Sequence, residues 1–150
     1  MHQDVDLKVL YFGTPVVLIG TRNPGGTANL APMSSAWWLG DQCMLGMNSG
    51  SQTTRNLLRE RECTLNLPSA DLAAAVDRLA LLSGAQDLTP HKTEKGYRYE
   101  PDKFGAAGLT PRAADAVAAP VVAECPVQLA VTPFACRADG DGLQRCALHW

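Results

Sequence analysis

PVVLIGTRNPGGTANLAPMSSAWWL, residues 15–39, decides the fold. PVVLIGT (15–21) is a short β-branched run ending in turn residues, which predicts a strand. RNPGGTAN follows, and Pro-Gly-Gly is a strong turn signal because glycine adopts positive φ without a steric penalty. NLAPMSSAWWL then reads as one returning strand of a hairpin, Gly40-Asp41 as the next turn, and QCMLGMN (42–48) as a third strand. The first 48 residues are therefore expected to form an antiparallel meander.

The second strand of that meander is unusual. A buried strand is ordinarily Val/Ile-rich and keeps proline at its edges. This one carries Asn29, Pro32, Ser34, Ser35, Trp37 and Trp38. Asn29 and the two serines can hydrogen-bond the polar edge of a planar heterocycle while Met33 or a tryptophan covers its face. Equally, Asn29 can close the hairpin, the serines can line a solvent face, and the tryptophans can pack. Side chains alternate along a strand, so one tryptophan ring is expected on each face.

Outward from there, SGSQTTRN (49–56) leads into a short helix over 53–61, with Thr53 or Ser51 as N-cap. Hydroxyls, a glycine and Arg55 at a helix start suit an anion, phosphate above all, although a plain capped helix has the same signature. CTLNLP (63–68) predicts a strand. SADLAAAVDRLALLSG (69–84) predicts a helix with Leu72, Val76 and Leu79 on one face. Residues 85–119 have little periodicity, and so long a connection is usually functional or mobile. VVAECPVQLAVTPF (121–134) is strand-like and interrupted by Pro126, while 135–150 has neither period.

The bulk properties bound the function. At 150 residues, 46% hydrophobic and 19% charged, with formal net charge −2, the chain suits a single domain, residues 1–150. Near-neutral charge without a basic run gives no reason to expect nucleic acid. No apolar stretch reaches the ~18–20 residues of a membrane span. The start, MHQDVDLK, is acidic and polar, so a cytoplasmic location is the default expectation. Five cysteines (43, 63, 125, 136 and 146) without a CxxC pair argue against a disulfide framework. Cys136, Cys146 and His149 make only a three-ligand zinc candidate with poor spacing, and no metal site is expected. No Walker or Rossmann glycine pattern is present.

The order NxAPxS, TTRNL, NLPS, DKFGAAGLTP and APVVAECPVQL resembles the flavin reductase-like, FMN-binding split-barrel family, from about residue 11 to 129. That resemblance implies a mainly β fold with short helices: a Greek-key antiparallel split barrel that dimerises and holds FMN at the subunit interface. It places Asn29, Ala31, Pro32, Ser34 and Ser35 against the flavin ring. Ser51, Thr53, Thr54, Arg55 and Asn56 fall on the phosphate and ribityl segment. Relatives often carry a lysine and an aspartate before that segment's threonine, where this chain has Ser51-Gln52; losing the lysine weakens the hold on the phosphate unless Arg55 substitutes. Lys103-Phe104 matches a Lys-Phe pair near the pocket in relatives. The implied activity is hydride transfer from NADH or NADPH to flavin, with a monooxygenase partner or another electron acceptor downstream.

Three other readings stay open: electron transfer without a nicotinamide site, a split barrel for another ligand such as haem or a pyridoxal-type phosphate, and an inactive remnant. The stretch 135–150 departs from the family, whose members continue with further strands. It resembles a chain cut short, which predicts an open barrel edge.

Overall fold

The computed structural model describes residues 15–138 and 142–149. The polar N-terminal stretch and the start of the family resemblance at residue 11 lie outside them. The elements that build the barrel are β1 (Val17–Arg22), β2 (Ala28–Met33), β3 (Ala36–Leu39), β4 (Gln42–Asn48), α1 (Gln52–Glu60), β5 (Cys63–Leu67), β10 (Val127–Ala138) and β11 (Leu143–His149). Between them run α2 (Ala73–Leu79), β6 (Leu82–Ser83), α3 (Pro90–Glu94), β7 (Arg98–Tyr99), α4 (Lys103–Ala107), β8 (Pro111–Arg112) and β9 (Val121–Val122).

Seven strands make one antiparallel sheet in the order β2-β1-β5-β10-β11-β4-β3. The predicted hairpin of β1 with β2 is present, with Thr21 opposite Asn29. The single strand expected over 29–39 is instead two. β2 ends at Met33, β3 begins at Ala36, and they lie on opposite edges of the sheet. The chain turns a corner at Ser34-Ser35, just after Pro32, where a strand has no N–H to extend its ladder. The meander is thus broken at its centre, and the sheet curls so that its two ends are joined by that corner.

Two apolar clusters flank the sheet. Alternation along β1 sends Val17 and Ile19 to one side and Leu18 to the other, all fully buried. The inner cluster gathers Val17, Ile19, Leu45, Met47, Leu57, Leu65, Val131 and Leu148, so α1 plugs the barrel through Leu57. The outer cluster packs Leu18 and Leu30 against Leu79 of α2 and Phe104 of α4. Burying a leucine of this kind stabilises by about 1.5–3 kcal/mol. The two tryptophans divide as alternation requires: Trp38 packs on the inner cluster and Trp37 is 55% exposed.

Three further expectations change. The helix expected over 69–84 is a 3-10 turn at Ala70–Leu72 followed by only seven α-helical residues, and Leu82 already belongs to a strand. Ser69 makes no side-chain cap there. The segment 85–119 contains two short helices: Thr89 caps α3, and the Asp102 carboxylate accepts from the Gly105 N–H to cap α4. Most consequentially, residues 143–149 form β11, which inserts between β10 and β4 and pairs along its length with β4. The open edge expected at that place is filled. Cys136 stands directly opposite Cys146 in this hairpin, and the two form a disulfide where the cysteine pattern argued against a disulfide framework. That bond also removes both as zinc ligands.

Candidate functional site

α1 begins where β4 ends, and the junction is tightly specified. Ser51 is the N-cap, its Oγ accepting from the Thr54 N–H at 3.1 Å. Thr54 Oγ1 donates to the Asn48 carbonyl at 2.9 Å. Its single proton is then committed, so in the 2.9 Å contact between the two hydroxyls Ser51 is the donor. The Gln52 and Thr53 N–H groups of the first turn have no intrahelical acceptor, as at any helix start.

A cavity of about 170 Å³ opens at this helix start. Ala31, Pro32 and Met33 of β2 form one wall; Asn48, Ser51, Gln52 and Thr53 form another; Ser83, Gly84, Lys92, Tyr97 and Lys103 close it. None of the described residues lining it is a carboxylate. Gly84 is required by space: a Cβ there would collide with Asn29 Oδ1 and press on the Gln52 side chain.

Two lysines supply the charge. Lys103 is 4% exposed and its Nζ donates to the Leu30 carbonyl at 2.8 Å. Burial, and secondarily the positive charge of Lys92, push its ammonium down to about 8. Lys92 sits with its Nζ 5.8 Å from the Tyr97 ring centre. Its pKa is also lowered, first by burial and then by the Arg55 charge, against a smaller opposing pull from Asp87.

Next to this cavity lies a larger, mostly apolar groove of about 670 Å³. Pro32, Met33 and Ala80 line both spaces. Ser34, Leu67, Pro68 and Val76 continue the groove, and Asp77 is its one carboxylate among the described residues.

The structure distributes the ten residues singled out in the sequence among five settings. Ala31, Pro32, Ser51 and Thr53 line the small cavity, and Pro32 and Ser34 line the groove. Ser35 occupies the corner, its carbonyl accepting from the Gly46 N–H at 2.8 Å. Asn29, Thr54 and Asn56 are buried in protein hydrogen bonds. Asn29 Nδ2 donates to Thr21 Oγ1 at 2.9 Å and Thr53 Oγ1 at 3.1 Å. Asn56 Nδ2 donates to Thr21 Oγ1 and Asn23 Oδ1, and its Oδ1 accepts from Gln52 and Arg59. Arg55 faces away from the cavity in a two-point ion pair with Asp87, 2.9 Å at each contact. It lines neither the cavity nor the groove. Among the described residues, the cations that line the cavity are Lys92 and Lys103.

Lys92, Tyr97, Ser83 and Gly84 were not legible as site residues. Lys92 and Tyr97 come from the aperiodic connection 85–119, whose length is the only hint, and Ser83 and Gly84 from the end of the helix expected over 69–84. Lys103 carried the Lys-Phe resemblance but no assigned role.

A family model described as a flavin reductase like domain matches residues 9–141. The chain belongs to this family. An uncharacterised Bacillus subtilis (strain 168) protein, YdfE, is 39% identical over 127 residues, which is 85% of this chain and 61% of that protein. The chain thus spans under two thirds of the length of that curated relative. Among solved structures, flavoredoxin of Desulfovibrio vulgaris (Miyazaki F) superposes with TM-score 0.81 at 20% identity, covering 99% of this chain and 73% of its own. The Streptomyces globisporus C-1027 NADH:FAD oxidoreductase SgcE6 superposes with TM-score 0.68 at 12% identity, covering 91% and 72%. At these identities the superpositions speak for the fold: a flavin reductase-type split barrel, here with its strands in the order given above. Among the described residues no helix is long and apolar enough to cross a membrane.

Proposed function

We propose that this flavin reductase-like chain binds FMN and transfers hydride to it from NADH or NADPH. The observation that carries the reading is the joined pair of spaces. A small cavity with two lysines and a helix start suits a phosphate. The apolar groove that shares Pro32 and Met33 with it suits a flat ring.

Each part of the donor set has a defined role. Lys92 and Lys103 supply positive charge at the phosphate, and burial strengthens both interactions relative to water. The Gln52 and Thr53 N–H groups point from the helix start, where the helix dipole also favours negative charge. Thr53 Oγ1 accepts from Asn29, so its own proton is available to donate. The one proton of Ser51 is committed to Thr54, so Ser51 acts instead by holding the helix start in place. Asn29 and Asn56 position rather than touch: they tie α1 to the β1–β2 hairpin through Thr21. Pro32, Met33 and Ser34 shape the groove and exclude water from one face of the ring. The bound flavin would supply the hydride chemistry.

A homodimer and a downstream acceptor, such as a monooxygenase, belong to the same proposal. Trp37 and Leu39 are exposed on the edge strand β3, at 55% and 83%, and offer apolar surface for a second chain. A cytoplasmic location belongs to it as well.

The test is an FMN titration followed by tryptophan quenching, alongside Thr53→Ala and Lys103→Met, then steady-state oxidation of NADH and NADPH with FMN. Saturable binding weakened in both variants, together with turnover, supports the proposal. Binding without turnover leaves a flavin-dependent electron carrier. A folded protein that does not bind FMN overturns the reading.

A further inference from the structure

β11 is the strand that joins the two halves of the sheet, lying between β10 and β4. Its pairing with β10 contains two features that act against each other. Arg137 faces Arg145 directly across the ladder, both exposed, and like charges in that position destabilise a strand pair. At the adjacent position Cys136 faces Cys146 and is bonded to it, closing a loop of sequence separation 10. The covalent tie therefore sits one position from this like-charge pair.

The two sulfurs are not equivalent. Cys146 is fully buried in the inner cluster, whereas Cys136 is only partly buried at its margin. Cys43 and Cys63 belong to the same cluster as free thiols, and burial raises both, Cys43 to about 11. A thiol kept protonated is a poor nucleophile, which disfavours exchange of these neighbours with the bond.

β11 also reaches the candidate site. Leu143 pairs with Asn48, and the Gly142 carbonyl accepts from the Ser49 N–H at 2.8 Å. Asn48 is the residue whose carbonyl anchors Thr54, and its side chain accepts from the Gly50 N–H. The helix start that lines the small cavity thus hangs on the strand that the disulfide fastens.

We propose that Cys136 and Cys146 form a reducible two-electron couple that clamps β11, and that opening the clamp loosens the cavity at the start of α1. The link to the cavity rests on the flavin reading; the clamp does not. A dithiol reductant opens it. One of its thiolates attacks the accessible Sγ of Cys136, the S–S bond breaks, and Cys146 leaves as a thiolate that takes a proton. The second thiolate attacks the reductant's own sulfur in the mixed disulfide, closing the reductant's disulfide. Cys136 is released and protonated. Two electrons and two protons end on the cysteines, and a small-molecule disulfide reverses the exchange. In a cytoplasmic protein, disulfides are more often transient or redox-sensing than structural, which agrees with this role.

The experiment compares the full chain held with glutathione disulfide and with dithiothreitol. Alkylation and mass spectrometry are expected to find Cys136 and Cys146 protected in the first and modified in the second, with Cys43, Cys63 and Cys125 slow in both. Reduction is expected to lower Tm by roughly 5–10 °C. It should also speed amide exchange over 143–149 more than over 17–33, and weaken FMN binding several-fold. Added salt should recover part of the lost Tm in the reduced form alone. Cys136→Ser/Cys146→Ser should match the reduced protein in either buffer; if that variant does not fold, the wild-type comparison decides. Failure of glutathione disulfide to form the bond overturns the clamp, as does equal Tm and exchange in the two forms. Loosened exchange with unchanged FMN affinity overturns the link to the cavity. If neither form binds FMN, the flavin reading fails, and the exchange data still judge the clamp.

Discussion

Lys103, at the start of α4, donates across the outer core to the carbonyl of Leu30 in the middle of β2, at 2.8 Å. The bond fixes a buried ammonium in the cavity that Thr53 of α1 also lines, and ties the aperiodic connection to the barrel. The cavity's charge thus depends on a residue more than seventy positions away in sequence.

Replacing it tests that dependence. Lys103→Met keeps the length of the side chain and removes the charge. FMN binding at pH 7 is expected to weaken by about ten- to a hundredfold, as for loss of a charged hydrogen-bond donor. Isothermal titration of wild type and variant measures it.

The pH dependence has opposite signs for binding and for folding. Lys103 loses its proton at about 8 in the folded chain, below an ordinary lysine. FMN affinity should therefore fall as pH rises through about 8, and this step should be absent in Lys103→Met. Between about 8 and the ordinary lysine value the unfolded chain binds more protons at this position than the folded one. The contribution of Lys103 to stability accordingly rises with pH over that window. Urea midpoints at pH 7 and 9.5, variant against wild type, give the sign.

Arg55 tests the opposite expectation. Its ion pair with Asp87 is exposed on both sides, where such pairs contribute little. Arg55→Ala is expected to leave the urea midpoint and FMN affinity nearly unchanged. A large loss of affinity would return Arg55 to the phosphate site.

Gly84→Ala should damage the cavity directly. The added methyl meets the side chains of Asn29 and Gln52, each held in place by hydrogen bonds from its amide nitrogen. A cost of about 1–3 kcal/mol is expected for forced repacking, with weaker FMN binding. Denaturant unfolding and titration on the same sample check both.

Thr54→Val preserves shape while deleting the hydroxyl that reaches Asn48. It removes a half-buried hydrogen bond to the Asn48 carbonyl, which still accepts from the Ser51 N–H, a loss of about 1 kcal/mol. Chemical denaturation measures the cost.

What could be read in advance follows from the range of the interactions. The β1–β2 hairpin and the capped start of α1 were legible because turn glycines and Ser51 act within a few residues of themselves. The break at Ser34-Ser35 was not, because a strand and two strands with a corner share the same composition; which edges pair is settled by distant partners such as Leu18 and Leu45. β11 was missed because CALHW has no alternation to betray it: both neighbours of the strand had to be known first. At the site, the hydroxyl-rich segment was visible as a segment. Which of its side chains face the cavity and which are bound up with Thr21 depends on packing that no spacing encodes.

The corner at Ser34-Ser35 has one more consequence. β2 and β3 are the two margins of the sheet, and no ladder of backbone bonds runs between them. The barrel therefore has a seam, and Pro32, Met33 and Ser34, at one lip of it, line the spaces assigned to the ligand. A guest admitted along this seam needs no strand to be unzipped. Filling it would brace the two margins against each other, as a wedge stiffens a split ring.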